Sequence, residues 1–177
     1  MAQTLSCPIP NNINPLQSNG FQFNITKLPD LSFFCQEVNI PGMTLPSPEL
    51  SNPFSIAPVP GDKLDFDDLT VQFLIDEEMN NYISIQAWMV ALGFPKNYEQ
   101  YRKFIGDQRG NLVTELAKGY SDATLQILNS SNNPIRTITF RDVFPVSLQS
   151  LTLQSTTDST QYLTGVATFK YTYYEFT

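Results

Sequence analysis

Residues 59–78 read VPGDKLDFDDLTVQFLIDEE and contain, in order, a turn, a long strand and the start of a helix. The Gly-Asp pair at 61–62 predicts the turn. Apolar and polar residues alternate over residues 69–75, which predicts a strand with one buried face. The alternation breaks near Asp67-Asp68, and this break indicates a bulge.

A helix is predicted to follow this strand directly. Asp76 is a suitable N-cap, and Glu77 and Glu78 would then lie in the first turn, where the helix dipole favours carboxylates. Apolar residues recur every three or four positions until Gly93, which is typical of a helix end. We therefore expect the main helix over residues 77–92, packed on the sheet through Ile83, Trp88 and Met89.

The rest of the chain is dominated by short strand patterns. Alternation of period two predicts strands at 21–25, 31–40, 123–127, 135–141, 146–153 and 162–176. Residues 129–133 predict a hairpin turn and residues 142–145 a bend. Five prolines make residues 43–60 a loop or an edge strand. About seven strands and one main helix predict a mainly β domain, a β-sandwich or barrel.

The length of 177 residues fits a single domain. Residues 1–20 hold three prolines and no apolar periodicity, so we expect an extended N-terminal arm that orders against a neighbouring chain. The domain proper spans residues 21–177. An insertion at residues 96–120 carries half of the Lys and Arg residues and could hold short helices.

Composition narrows the function classes. The net charge of −7 disfavours a protein that grips nucleic acid, because the phosphate backbone would repel it. Histidine is absent, which removes the commonest general base and metal ligand. Cys7 and Cys35 fit free thiols better than a disulfide. With neither a signal-peptide pattern nor an apolar run of membrane length, we expect synthesis in a cytoplasm and no membrane partner.

The sequence fits neither a metal site nor a catalytic site. Four acidic residues lie close together in the sequence, and oxygen ligands suit Ca²⁺, but the EF-hand spacing is missing from Asp62, Asp65, Asp67 and Asp68. Without histidine a serine triad cannot be built, and no Gly-x-Ser-x-Gly motif occurs. We therefore predict no enzyme activity, no metal and no cofactor.

The order of these pieces resembles the inner tail tube family of contractile-tailed bacteriophages. That family shows a glycine–aspartate turn, a Phe-Asp-Asp-aromatic-Thr-Val strand, an Asp-Glu helix start and a later tryptophan. Leu69 replaces the family's aromatic residue. The matching residues are Gly61, Asp62, Phe66, Asp67, Asp68, Thr70, Val71, Glu77 and Trp88. The resemblance covers about residues 21–95 and 123–175, and the helix also resembles the baseplate proteins that initiate the tube.

The resemblance implies the tail tube fold and a structural role in the virion tail. Six copies would form a ring, and stacked rings would form the channel for DNA ejection. The partners would be further copies of the chain, the sheath, and baseplate or neck proteins, while DNA would pass through the lumen without specific binding.

Two alternatives stay open. The chain could be a ring at one end of the tube: an initiator or adaptor at the baseplate, or a terminator at the neck. Outside the tail, it could be a carbohydrate-binding or adhesion β-sandwich, which would need aromatic side chains exposed on a flat face or in a groove.

Overall fold

The computed structural model describes residues 13–51, 54–93, 98–99, 119–155 and 162–177. Residues 1–12 of the predicted arm, Cys7 among them, lie outside this part, as does most of the predicted insertion. The described residues form two helices, α1 (Pro29–Phe34) and α2 (Asn80–Gly93). They also form the strands β1 (Phe21–Ile25), β2 (Cys35–Val38), β3 (Met43–Thr44), β4 (Glu49–Ser51), β5 (Ile56–Pro58), β6 (Asp65–Phe66), β7 (Leu69–Leu74), β8 (Ser121–Leu128), β9 (Pro134–Leu148), β10 (Thr164–Lys170) and β11 (Tyr173–Phe176).

The main sheet has seven strands, ordered β1-β8-β9-β10-β7-β2, with β11 also paired to β9. All of its pairs are antiparallel. The long strand β9 lies at the centre, because β8 pairs along one edge while β11 and β10 follow one another along the other. The predicted mainly β fold of about seven strands with one main helix is therefore confirmed.

One hydrophobic core holds both halves of the sheet together. Strand residues at alternating positions are buried, as the period-two pattern predicts. Leu31 of α1 and Ile85 and Trp88 of α2 complete the same cluster. The buried strand residues are Phe23, Ile25, Leu69, Val71, Phe73, Ala123, Leu125, Ile138, Phe140, Val143, Ala167 and Phe169.

The predicted strand over residues 31–40 is only half right. Residues 29–34 form the short helix α1, and the strand β2 begins at Cys35. Pro29 at the first turn and Asp30 beside it favour a helix start. Leu31 is buried whereas Phe33 is 85% exposed, so the apparent alternation does not mark a buried strand face.

The main helix begins later than predicted, at Asn80 rather than Glu77. Residues 76–79 form a turn in which the Met79 N–H donates to the Asp76 carbonyl at 2.9 Å, and Met79 has a φ of 58°. The Asp76 carboxylate still accepts from the backbone N–H of Asn81, at 3.2 Å. Asp76 therefore bonds to the first turn of the helix, but it is not at the predicted N-cap position, and the two glutamates that follow it lie outside the helix.

The buried face of α2 also differs from the prediction. It consists of Asn81, Ile85, Trp88 and Ala91. Trp88 lies on this face as expected, and Met89 packs partly buried against the core. Ile83 was wrongly placed there, since it is 52% exposed.

The predicted hairpin turn at residues 129–133 is present. The Asn129 side-chain oxygen accepts from the N–H groups of Ser131 and Asn133 at 2.9 and 3.0 Å. The bend predicted at residues 142–145 does not divide the chain into two strands, because β9 is one strand of 15 residues. Asp142 adopts a φ of 56° within it and accepts a hydrogen bond from the Thr172 hydroxyl at 3.1 Å.

Gly165 leaves no room for a side chain. It lies opposite Phe73, whose ring would be 2.8 Å from an added Cβ. We expect Gly165→Ala to destabilise the fold by about 1–3 kcal/mol through overpacking. Gly93→Ala is the matched control, since an added Cβ meets nothing there. Urea unfolding of both variants tests the expectation, and equal midpoints would contradict it.

Candidate assembly interface

A two-stranded ribbon projects from the edge of the main sheet. Its inner part pairs β3 with β6, and its outer part pairs β4 with β5. Between these pairs the Gly61 N–H donates to the Pro46 carbonyl at 2.8 Å, and the Val59 N–H to the Pro48 carbonyl at 3.0 Å. Residues 43–51 and 54–60 are therefore a paired ribbon with hydrogen bonds of its own, the edge-strand form of the prediction. That a neighbouring subunit orders these residues stays a prediction.

The ribbon continues the hairpin formed by β2 and β7. Val38 pairs with Val71, and the Asn39 N–H donates to the Thr70 carbonyl at 3.3 Å. At an extended rise of ~3.3 Å per residue, the leg from Met43 to Ser51 is at most about 26 Å long. A feature of this length is suited to contact another chain.

The outer ribbon exposes large apolar side chains. All described residues of β4 and β5 are exposed. Leu50 and Ile56 are each 63% exposed, and Phe54 near the tip is 97% exposed. The register pairs Leu50 with Ala57 and Ser51 with Ile56, so Leu50 and Ile56 lie on opposite faces of the ribbon. Large exposed apolar side chains on both faces of one element suit contact with another chain. We call Leu50, Phe54 and Ile56 the apolar ribbon tip.

Most of the family-motif residues lie along the returning leg of this ribbon. Gly61 is needed for close pairing, because an added Cβ would be 2.5 Å from the Pro46 carbonyl oxygen. Asp67 and Asp68 lie where the pairing changes from β3–β6 to β2–β7, so the predicted break is present. The remaining motif residues on this leg and in the strand that follows are Asp62, Phe66, Thr70 and Val71.

Two motif residues lie away from the ribbon. Trp88 is in the core and Glu77 is exposed in the loop before α2. The nine positions therefore do not converge on one chemical site. They build the ribbon, its junction with the sheet and the core beneath, which is a structural arrangement.

The acidic residues 62–68 do not form a metal site. Nowhere in the described part of the chain do three Asp, Glu, Cys or His side chains group as metal ligands. Asp68 instead forms an exposed ion pair with Lys170 at 3.4 Å. The absence of a required metal stays a prediction for the whole chain.

Asn39 links the two legs at the ribbon junction, and sequence analysis missed it. Its side-chain oxygen accepts from the Thr70 N–H at 2.6 Å, and its amide donates to the Asp68 carbonyl at 3.0 Å. An asparagine two residues before Pro41-Gly42 was the available signal, since such residues often bond to backbone at turns.

The surroundings of Trp88 join α2 to the sheet. Its indole N–H donates to the Gly119 carbonyl at 2.9 Å, and its ring centroid lies 6.4 Å from that of Phe169. The Lys27 ammonium lies 5.3 Å from the indole centroid, a cation–π geometry. Partial burial lowers the pKa of Lys27. The prediction that Trp88 packs in the core is confirmed.

A polar cleft of about 280 Å³ opens beside Lys27, between the start of β8 and the middle of β9. Asp122 in its wall forms an ion pair with Arg141 at 2.7 Å and also accepts from the Asp142 N–H at 3.4 Å. The Asp122 carboxylate thus joins β8 to β9. These contacts brace the two strands where the left-handed residue Asp142 disturbs their pairing.

Cys35 is a free cysteine. Burial raises the pKa of its thiol to about 11. A thiol that stays protonated near neutral pH reacts slowly, so Cys35 is suited to a packing role.

Alkaline pH is expected to weaken the fold at Tyr171. Burial, assisted by Tyr174 and the carboxylates of Asp67 and Asp68, raises the pKa of Tyr171 from 10.0 to about 12. The folded state therefore favours the neutral phenol, and this contribution to stability is complete below pH 10 and lost as the pH rises to 12. Between pH 9.5 and about 11.5, Tyr171→Phe should lose less stability than the parent protein in urea unfolding. Equal losses would contradict this assignment.

The fold and these contacts indicate the class of protein. A mainly β domain with an exposed apolar ribbon has the features of a structural subunit that assembles with other chains. None of its described helices is both long and apolar enough to cross a membrane.

The chain belongs to the phage tail tube protein family, whose sequence model matches residues 4–177. It is also 31% identical over 144 residues to the tail tube terminator protein of Enterobacteria phage T4, a match that covers 79% of this chain and 74% of the T4 protein. The resemblance inferred from the motif residues is therefore confirmed.

Solved structures show the same fold. A chain of the anti-feeding prophage cap, a tube terminating cap, aligns with a TM-score of 0.65 over 99% of both chains at 12% identity. A chain of the anti-feeding prophage baseplate aligns with a TM-score of 0.61, over 93% of this chain and 96% of that one, at 13% identity. At such identities these structures establish the shared fold and not a shared role.

Proposed function

We propose that this chain is a tail tube terminator, the subunit of a ring that closes one end of a phage tail tube. The observation that carries the proposal is the 31% identity to the T4 tail tube terminator protein over most of both chains. This supports one of the alternatives from the sequence better than the leading hypothesis of a subunit repeated along the tube.

The fold alone does not separate the two roles. Chains from a tube cap and from a baseplate both align with this one along nearly their whole length. The assignment as a terminator therefore rests on sequence identity, and the geometry supports the more general property of ring formation.

Two features of the described structure support ring formation. The leg that carries the apolar ribbon tip is up to about 26 Å long, which is long enough to reach a neighbouring copy. The strands β1 and β2 lie at the two ends of the main sheet path. Strands at sheet ends are templates for pairing with another chain, and closed rings remove such edges. We infer that the partners are further copies of this chain and the last ring of the tube, with the sheath around them.

The composition fits a channel through which DNA passes. The chain carries a net charge of −7, so a ring of copies would repel DNA. Membership of the tail tube family argues against the hypothesis of a carbohydrate-binding or adhesion β-sandwich. Within the described residues, the aromatic side chains at the ribbon junction also pack on one another instead of forming an open face.

Copy number tests this proposal. Cyclic symmetry gives a terminator ring a small fixed number of subunits, about six on the family's pattern, whatever the tail length. Quantitative mass spectrometry of purified tails should find this chain at that number, far below the tube subunit of the same tails. A copy number that rises in proportion to tail length would show instead that it is the repeated subunit.

A further inference from the structure

The ribbon joins the sheet at a narrow junction where both legs are held by the C-terminal segment, through Tyr171 in the link between β10 and β11 and Tyr174 in β11. The Tyr174 hydroxyl donates to the Pro41 carbonyl on the outgoing leg at 3.1 Å. The Tyr171 hydroxyl donates to the Asp67 carbonyl on the returning leg at 3.0 Å. Between these points the Asp67 N–H donates to the Gly42 carbonyl at 3.1 Å.

Aromatic packing supports the same junction from below. The ring of Phe66, in the first ribbon pair, lies 6.0 Å from that of Tyr171 and 5.6 Å from that of Tyr174. Both tyrosine rings also contact the fully buried Phe140, at 5.2 and 5.6 Å. The two hydroxyls therefore extend from rings that are themselves fixed to the core.

The junction is a place where the ribbon could otherwise bend. The strand pairing is interrupted at Asp67 and Asp68, and an isolated two-stranded ribbon is marginally stable in water. One attachment would leave the ribbon free to swing about that point. Two attachments, one on each leg, fix its direction.

Gly42 keeps the junction compact. An added Cβ at this position would be 2.5 Å from an Asp67 carboxylate oxygen. The Asp67 carboxylate therefore lies directly against the outgoing leg at this glycine.

We propose that Tyr171 and Tyr174 are positioning residues that clamp both legs of the ribbon and hold it at a fixed angle to the sheet, ready to dock on a second copy of this chain. A ribbon held in its bound direction loses less conformational freedom on association. The clamp follows from the contacts within one chain. Its use in assembly rests on the function proposed above.

The clamp is tested by the distance between the ribbon and the body. Spin labels at Ser51→Cys on the outer ribbon and Gln86→Cys on the exposed side of α2 report this distance, in a background of Cys7→Ser and Cys35→Ala. In the parent protein we expect one narrow distance distribution. In Tyr171→Phe/Tyr174→Phe, which keeps the rings and loses only the hydroxyls, we expect a distribution at least twice as wide.

Tyr82→Phe is the matched control, because the Tyr82 hydroxyl also donates to a backbone carbonyl, that of Gln149, at 3.3 Å. It should leave the distribution narrow. An unchanged distribution in the double variant, or equal broadening in the control, would overturn the clamp. Should the double variant fail to fold, each single tyrosine variant is measured in the same way. The clamp is then overturned if the distance distribution stays narrow in both single variants.

Assembly of the same variants separates the clamp from the proposed function. If the double variant broadens the distribution and also fails to form rings, both the clamp and its use in assembly stand. If it broadens the distribution and rings form normally, the ribbon is clamped but its direction does not control assembly. Neither result depends on whether the ring is a terminator or a repeated tube ring, which the copy number decides.

Discussion

Trp88→Ala is expected to destabilise the protein by about 3–5 kcal/mol, the usual cost of truncating a buried large aromatic side chain. Trp88 is 1% exposed and ranks among the largest fully buried side chains. The substitution also leaves the Gly119 carbonyl without its indole donor and removes the ring beneath the Lys27 ammonium. Urea unfolding measures the loss.

Two other variants show whether the loss comes from this position. Ile83→Ala lies on the same helix but is 52% exposed, so it should cost less than ~1 kcal/mol. Trp88→Phe keeps a ring and loses the N–H, so its cost should lie between those of the two alanine variants. A loss below 1 kcal/mol for Trp88→Ala would place the indole outside the core and contradict the structure.

Removing the outer ribbon is expected to abolish ring assembly while leaving the subunit folded. Residues 47–60 can be replaced by the two-residue turn Asn-Gly. The hydrogen bond from the Gly61 N–H to the Pro46 carbonyl, which is already present, would then close the shortened hairpin. Fully burying each side chain of the apolar ribbon tip would contribute roughly 1.5–3 kcal/mol. Losing even two of them should weaken association by at least about a hundredfold, since 1.4 kcal/mol is a factor of ten.

The subunit itself should be little affected by this truncation. The described residues of β4 and β5 are all exposed, so the melting temperature should stay within a few degrees of the parent. Leu50→Ser/Ile56→Ser keeps the ribbon length and changes only its apolar character, and should give a smaller loss of assembly. Sedimentation velocity measures association in each case. A truncated chain that assembles as well as its parent would exclude the ribbon from the interface.

Local periodicity predicted the strands well, because a strand that is buried on one face has an apolar residue at every second position. The strands β1, β7 and β8 follow their predicted alternation, and the break at Asp67-Asp68 falls where the phase changes. The order of the motif residues was sufficient to indicate the tail tube family. Their individual roles were less visible, since most of them shape the ribbon and none forms a chemical site.

The errors have both local and long-range causes. Residues 31–34 alternate like a strand, but they belong to a helix that begins at Pro29. Leu31 is the residue of this helix that is buried. The start of α2 is displaced by a turn that depends on the left-handed conformation of Met79. The clamp joins Tyr174 to Pro41, 133 positions apart, and no local pattern reports a pair so distant in sequence.

The position of the protein on intact tails tests the central claim most directly. Tails are purified from particles whose copy of this protein carries a short epitope tag, labelled with gold-conjugated antibody and imaged by negative-stain electron microscopy. The proposed terminator predicts gold at one end of each tail, always the end that joins the head. Gold along the whole length of tubes freed from their sheath would show a repeated tube subunit, and gold at the baseplate end would show an initiator; either result would contradict the account.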